Sequence, residues 1–320
     1  MSTQAESEVK PKRKPRRLRS ANSHPVSSAP PNRGWRITPW LFMVVPLALL
    51  ITFTYIPVAN MFWYSFTDWN GISKVKEPVG LGNYVEFFTR PELYRVFLVS
   101  LYYLAGAVVQ MVLALYFATM LSFSTVFKNL FKGILFFPYL INGVAISFVF
   151  LFFFQPGGTL DSVLGLIGIS EDSLPLWLGN PDLINISLAG TSVWRYMGLN
   201  FVLFLGAIQS IPAQIYEAAD LDGASRWNQF RYIIAPSIKP IISLSFILAI
   251  SGSLAVFEIP FIMTDGANGS TTFVIQTIKT AFNSNKVGLA SAMAVILLFI
   301  VLLVTWVQRL LVPDEKVDLT

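Results

Sequence analysis

No cysteine occurs in the 320 residues, which excludes disulfides, thiolate metal sites and thiol nucleophiles. Charge is scarce as well. Asp, Glu, Lys and Arg make up 13% of the chain, against about 25% in ordinary soluble domains. The single histidine, His24, lies in a polar N-terminal stretch and reads as solvated. The long apolar segments therefore contain no His, no Cys and no pair of carboxylates placed to work as acid and base, the parts a catalytic site needs. No Gly-Lys dipeptide is present, so the chain has no P-loop with which to hold ATP.

Apolar residues are abundant: 54% of the chain is hydrophobic, 27 residues are Phe, and mean hydropathy is +0.60. A chain so poor in polar side chains cannot keep its surface wetted, and a bilayer is its natural solvent. Six runs approach the ~20 residues that cross a membrane as helix: about 39–62, 96–121, 130–154, 183–208, 236–263 and 290–307. The expected fold class is an all-α membrane protein, a bundle of six transmembrane helices.

Nine Lys and Arg fall between Lys10 and Arg36, in a Pro/Ser-rich stretch without apolar periodicity. Residues 1–36 read as a disordered basic tail, 37–312 as the membrane domain and 313–320 as a short C-terminal tail. Such a run suits nucleic acid or anionic headgroups. Joined to apolar spans it reads as a cytoplasmic tail, with no nucleic-acid partner. The loop between the third and fourth spans has no Lys or Arg but carries Asp161, Glu171, Asp172 and Asp182, which places it outside. Both termini, and the loop between the fourth and fifth spans, are then cytoplasmic.

That last loop, about 210–236, contains EAADLDGASRWNQFRYIIAPSIKP. Ser210 is placed to cap a short helix with Pro212 in its first turn, and Asp222-Gly223 to end it with a left-handed residue. A second helix is expected from Ser225, with Trp227, Phe230 and Ile234 on one apolar face. A first arm of under four turns is unstable alone and must pack against something. Small Ala218 and Ala219 with carboxylates at the rim suit either a groove on a partner or the bundle itself.

The segment resembles the signature loop of permease subunits of binding-protein-dependent ABC importers. Glu217-Ala218-Ala219 is followed, after three intervening residues, by Gly223, and after nine more by Ile233 and then Pro236. Ala235 stands where that family usually has Leu. FFPYLINGVAISFVF, WLGNPDL, WRYMGLNF and TDGANGS resemble, in the same order, the carbohydrate-type branch, similar to maltose and glycerol-phosphate permease subunits, over roughly residues 40–310.

The resemblance implies a type I importer architecture in a bacterial inner membrane. It implies a second permease subunit, a cytoplasmic ATPase dimer holding the ATP and Mg2+ that this chain cannot bind, an extracellular or periplasmic solute-binding protein, and a sugar as solute. Glu217, Ala218, Ala219, Asp222, Gly223 and Pro236 would make the ATPase-coupling contact. A solute path belongs where polar groups sit at membrane depth. Trp194, Arg195, Tyr196 and Asn200 in the fourth span, and Ser253, Phe257 and Glu258 in the fifth, supply the aromatic, amide, hydroxyl and charged groups that bind polyols. Arg195 and Glu258 are equally able simply to pair with each other. Gln110 and Asn142 are weaker candidates for solute contact, since a lone polar residue in a helix more often makes an interhelical bond. An ion-coupled secondary transporter is the competing reading, but it needs buried carboxylates near mid-membrane, and Glu258 is the sole candidate and lies off-centre.

Overall fold

The computed structural model describes residues 33–123, 128–170 and 173–311. Among the described residues the regular elements are all helices, joined by turns and loops, with one isolated bridge between Thr67 and Pro78. The chain divides into two units at Tyr55. The first contains α1 (Arg33–Leu50) and a π-helical turn, Ile51–Tyr55. Helix begins at Arg33, within the stretch read as tail, while residues 1–32 and 313–320 lie outside the described residues. From Trp40 to Tyr55 every side chain is exposed, and nearly all are apolar. That surface is suited to hydrocarbon rather than water.

The second unit begins with α2 (Ile56–Tyr64) and two short helices, α3 (Gly82–Thr89) and α4 (Pro91–Tyr94). Next come α5 (Phe97–Ser122), α6 (Lys128–Leu140), α7 (Gly143–Phe154), α8 (Thr159–Leu166) and α9 (Ile184–Gln209). The charged segment forms α10 (Ala213–Leu221), α11 (Arg226–Gln229), a π-helical turn at Phe230–Ile234 and α12 (Ala235–Ser237). The rest is α13 (Lys239–Leu254), α14 (Glu258–Thr264), α15 (Phe273–Phe282) and α16 (Val287–Leu311).

Four stretches are long and apolar enough to cross a membrane: Trp40–Tyr64, Pro91–Ser122, Lys239–Thr264 and Val287–Leu310. Two bent pairs, α6 with α7 at 96° and α9 with α10 at 72°, bring the number to as many as six when each pair is counted as one span. The expected continuous third span is thus broken. Asn142 accepts a hydrogen bond from Val144 N at 2.8 Å and caps α7, so it starts a new helix rather than gluing two together. The fifth span is interrupted at 255–257 as well. Pro260 has no N–H and its ring would crowd the carbonyl four residues earlier. That carbonyl, Val256 O, leaves the helix and accepts from Thr272 Oγ1 at 2.8 Å.

Small residues set the closest packing. Ala114 and Ala118 of α5 are fully buried with Phe201, Phe204 and Leu205 of α9, and Ile234 and Ile238 close the same cluster. Gly198 of α9 sits against the Leu135 carbonyl of α6, where any side chain would collide. Without a hydrophobic driving force between helices in lipid, such close backbone approach is the main source of association.

A second cluster joins Phe87 and Leu93 to Phe273, Leu289 and Met293. Beside it the 65–80 segment is ordered by buried Asn83, whose Nδ2 donates to Ser65 O and Thr67 O, both at 2.8 Å. Lys76 lies over the rings of Tyr64 and Trp69, at 4.9 and 4.6 Å. Asn83→Ala leaves two carbonyls without their donor. It should cost about 2 kcal/mol, read as a lowered unfolding midpoint of the detergent-solubilised protein.

Candidate functional site

Two regions collect the candidate residues. The first is the charged segment. α9 ends at Ser210, whose Oγ bonds back to Ala207 O at 2.7 Å. Ser210 therefore finishes one helix instead of capping the next, correcting the sequence expectation; Pro212 takes the position before α10 and provides no side-chain cap. The short helix ends as expected, with Asp222 at its C-cap and Gly223 at φ +71°. Nothing lies within 4 Å of a Cβ built on Gly223, so only backbone conformation demands glycine there. Ser225 caps α11 by accepting from Asn228 N.

The fold of this loop depends on a residue the sequence reading passed over. Gln229 is buried, and its Nε2 donates to Asp220 Oδ1 at 2.6 Å and to Ala224 O at 3.3 Å, while Arg226 donates to its Oε1 at 3.1 Å. One amide thus ties the end of α10 to the start of α11. Trp227, expected to share an apolar face with Phe230 and Ile234, is exposed and only leans on the Phe230 ring at 5.6 Å. The π-helical turn after Gln229 shifts the register, which puts Ile234 in the core and leaves Trp227 outside. Around α10, Tyr216 packs on the α5–α9 core. Ile215, Glu217, Ala218, Leu221 and Asp222 are exposed, with Ala219 half-buried between the two faces. Pro236, in α12, is a half-turn from buried Ile238 and belongs to the loop's return to the bundle.

The second region is a cavity of about 490 Å³ between α5, α9, α13 and the interrupted fifth span. Its lining follows helical spacing. Tyr103, Ala107 and Gln110 come from one face of α5, Ser192, Tyr196, Leu199 and Asn200 from α9, and Ser245, Leu248, Ala249 and Gly252 from α13. Ser253, Phe257 and Glu258 complete it at the break. Of the seven candidate solute contacts, Tyr196, Asn200, Ser253, Phe257 and Glu258 line the cavity and Trp194 and Arg195 do not. Trp194 packs on Phe150, with ring centres 5.2 Å apart. Ser253 uses its hydroxyl on Ile250 O at 2.8 Å.

Arg195 pairs with Glu258, Nη1 to Oε2 at 2.6 Å, and its guanidinium carbon is 5.0 Å from the centre of the Tyr196 ring. The pairing alternative raised by the sequence is the arrangement observed. It is possible because the broken third span places Gly143 there: a Cβ on Gly143 would overlap both Arg195 Nη1 and the Glu258 carboxylate. Gln110, a weaker candidate, lines the cavity together with Tyr103 and Ser245, which the sequence did not single out. Their common signal is the spacing that aligns Tyr103 with Gln110 and Ser245 with Gly252. The acidic residues of the loop between the third and fourth spans do not share one environment. Asp161 is buried and accepts from Trp177 Nε1 at 2.8 Å and Gly157 N at 2.9 Å, Asp182 is exposed, and Glu171 and Asp172 lie outside the described residues.

Residues 110–317 match the family model for the binding-protein-dependent transport system inner membrane component. The chain is 33% identical over 279 residues to a probable ABC transporter permease protein, YurN, of Bacillus subtilis (strain 168), covering 85% of this chain and 95% of that one. It is 32% identical over 282 residues to the multiple sugar-binding transport system permease protein MsmF of Streptococcus mutans serotype c, covering 87% and 94%. A solved bacterial alginate ABC transporter, in complex with an alginate pentasaccharide-bound periplasmic protein, contains a chain of the same fold: TM-score 0.75, 18% identity, 87% and 94% coverage. A multi-pass helical chain with α10 standing out from its bundle, matched over most of its length, is a member of the binding-protein-dependent transport system inner membrane component family.

Proposed function

We propose that this chain forms one half of the path by which an ABC importer carries a sugar or sugar-like solute across a bacterial inner membrane, both termini facing the cytoplasm. The observation that carries the reading is α10, a nine-residue helix held rigid by Tyr216 and Gln229 yet exposing Ile215, Ala218 and Leu221. An ordered apolar face on a polar loop suits a groove on a separate protein. The sequence has no P-loop of its own, so that protein is the ATPase, and ATP and Mg2+ belong to it. Glu217, Ala218, Ala219, Asp222 and Gly223 make the contact, with Pro236 fixing the return of the chain. A second permease chain supplies the opposite wall, and an external solute-binding protein delivers the sugar. Sugar as the solute class is supported by the named role of the Streptococcus mutans relative.

The mechanics follow from connectivity. α10 is joined to α9 through a 72° bend, and α9 carries Tyr196 and Asn200 on the cavity wall. Asn200 is nine residues from the end of α9, about 13 Å at 1.5 Å per residue. A push on α10 is then delivered to the solute cavity by one stiff rod. A loose loop would absorb the same displacement. Arg195, held by Glu258, and Trp194, held by Phe150, keep that rod registered against its neighbours.

Purifying the tagged chain from its native membrane should bring an ATPase with it, and Ala218→Arg should abolish that association while the permease still inserts. A preparation in which no nucleotide-hydrolysing subunit accompanies the wild-type chain refutes the reading. In Gly223→Val the left-handed turn costs about 1–2 kcal/mol, so the loop relaxes. ATP-driven uptake should then fall at least tenfold with membrane expression preserved, and unchanged uptake in transport assays would count against the coupling role. Gln229→Ala should show the same pattern, since it removes the bonds that join the two arms.

A further inference from the structure

Polar side chains without partners are rare inside proteins and rarer still at membrane depth, where each costs free energy until something satisfies it. Four of them lie along the walls of one cavity. Gln110 of α5 is 8% exposed and Asn200 of α9 is 7% exposed. Neither side-chain amide has a hydrogen-bond partner among the described residues, and both line the cavity. Tyr103 of α5 and Ser245 of α13, 4% and 2% exposed, are on the same walls, and both hydroxyls are closed off without a partner. Two helices therefore bring two unpartnered amides to one space, among the Tyr196 and Phe257 rings and aliphatic carbon, while the two hydroxyls do not open onto it.

The charge of the cavity points the same way. Glu258 is the one ionisable carboxylate in the lining, and no Lys or Arg is found there. The nearby Arg195 is already committed to Glu258 at 2.6 Å. A carboxylate or phosphate entering the cavity would face Glu258 with no free cation to offset its desolvation. A neutral solute with hydroxyls on its rim and C–H on its faces meets no such penalty.

We infer that Gln110 and Asn200 form the solute-recognition face of this cavity, and that the solute is an uncharged polyhydroxylated molecule and not a sugar acid or a phosphate ester. This rests on the proposed importer function and adds to it the charge class of the solute and the paired amides of Gln110 and Asn200 as its recognition groups. A side-chain amide both donates and accepts, so the two match sugar hydroxyls of either polarity. A volume of about 490 Å³ is within the ordinary range for small-molecule sites.

The test uses the whole transporter, purified with its partner chains, and equilibrium dialysis with radiolabelled probes: maltose, cellobiose and xylobiose as uncharged glycosides, galacturonate and glycerol 3-phosphate as anions. At least one uncharged probe should bind, and the anions at least tenfold more weakly. Gln110→Met and Asn200→Leu should each raise the Kd of that probe about three- to tenfold, the effect of a lost hydrogen bond. Variants count only when they elute as monodisperse complexes. If they do not assemble, the comparison of probes on the wild-type complex decides alone. Anion binding as tight as that of the glycosides, assembled variants that bind like wild type, or no binding of any probe would each overturn the inference. The presence of the ATPase in the same preparation shows that such a result leaves the importer reading standing.

Discussion

The bond between Arg195 and Glu258 is the contact on which the centre of the bundle depends. An ionised side chain in a membrane interior is tolerated when it is paired, and here the two charges are on different spans, α9 and α14. Their meeting imposes conditions on a third. The helix that crosses over the pair can have no side chain at the crossing, and Gly143 is there. Gly143 can be there because the third span breaks at Asn142, which supplies the cap for the new helix. One ion pair thus fixes the break in the third span, the start of α14 and the rotation of α9, and the rotation of α9 sets which of its residues face the cavity.

The two breaks follow from the same backbone chemistry. A helix that ends inside a membrane leaves polar backbone groups that need partners. At the first break the Asn142 side chain takes the Val144 N–H. At the second, Thr272 reaches across from the start of α15 to the carbonyl of Val256. The second irregular stretch contributes Phe257 and Glu258 to the cavity wall.

Much of this was legible in the sequence. The four long helices lie within a few residues of the apolar runs, because a span must be long and greasy whatever it packs against. Gly223 and Ser225 took the backbone roles their chemistry suggested, since caps and left-handed turns are set locally. What was not legible depended on phase and on distant partners. The π-helical turn at Phe230–Ile234 shifts the register by a fraction of a turn, and no residue in FRYII announces it, so Trp227 was placed on the wrong side. Gln229 looks like any surface Gln until Asp220 is brought opposite it. Pro138, Asn142 and Pro260 did carry signals of the breaks, but a run of apolar residues on both sides masked them. Tyr103 and Ser245 could be found only by aligning helical faces across three spans.

The hydrogen bonds that tie Asp220, Ala224 and Arg226 to Gln229 begin and end within the loop, and Arg226 also lies over the Phe123 ring at 4.2 Å. None reaches the cavity residues. The α10 surface is accordingly shaped by other residues than those that line the cavity, although α9 joins the two. Selection can remodel the chamber for a new cargo without disturbing the docking face, and can retune that face without altering cargo preference. The molecule is in this sense modular, although it is one uninterrupted chain.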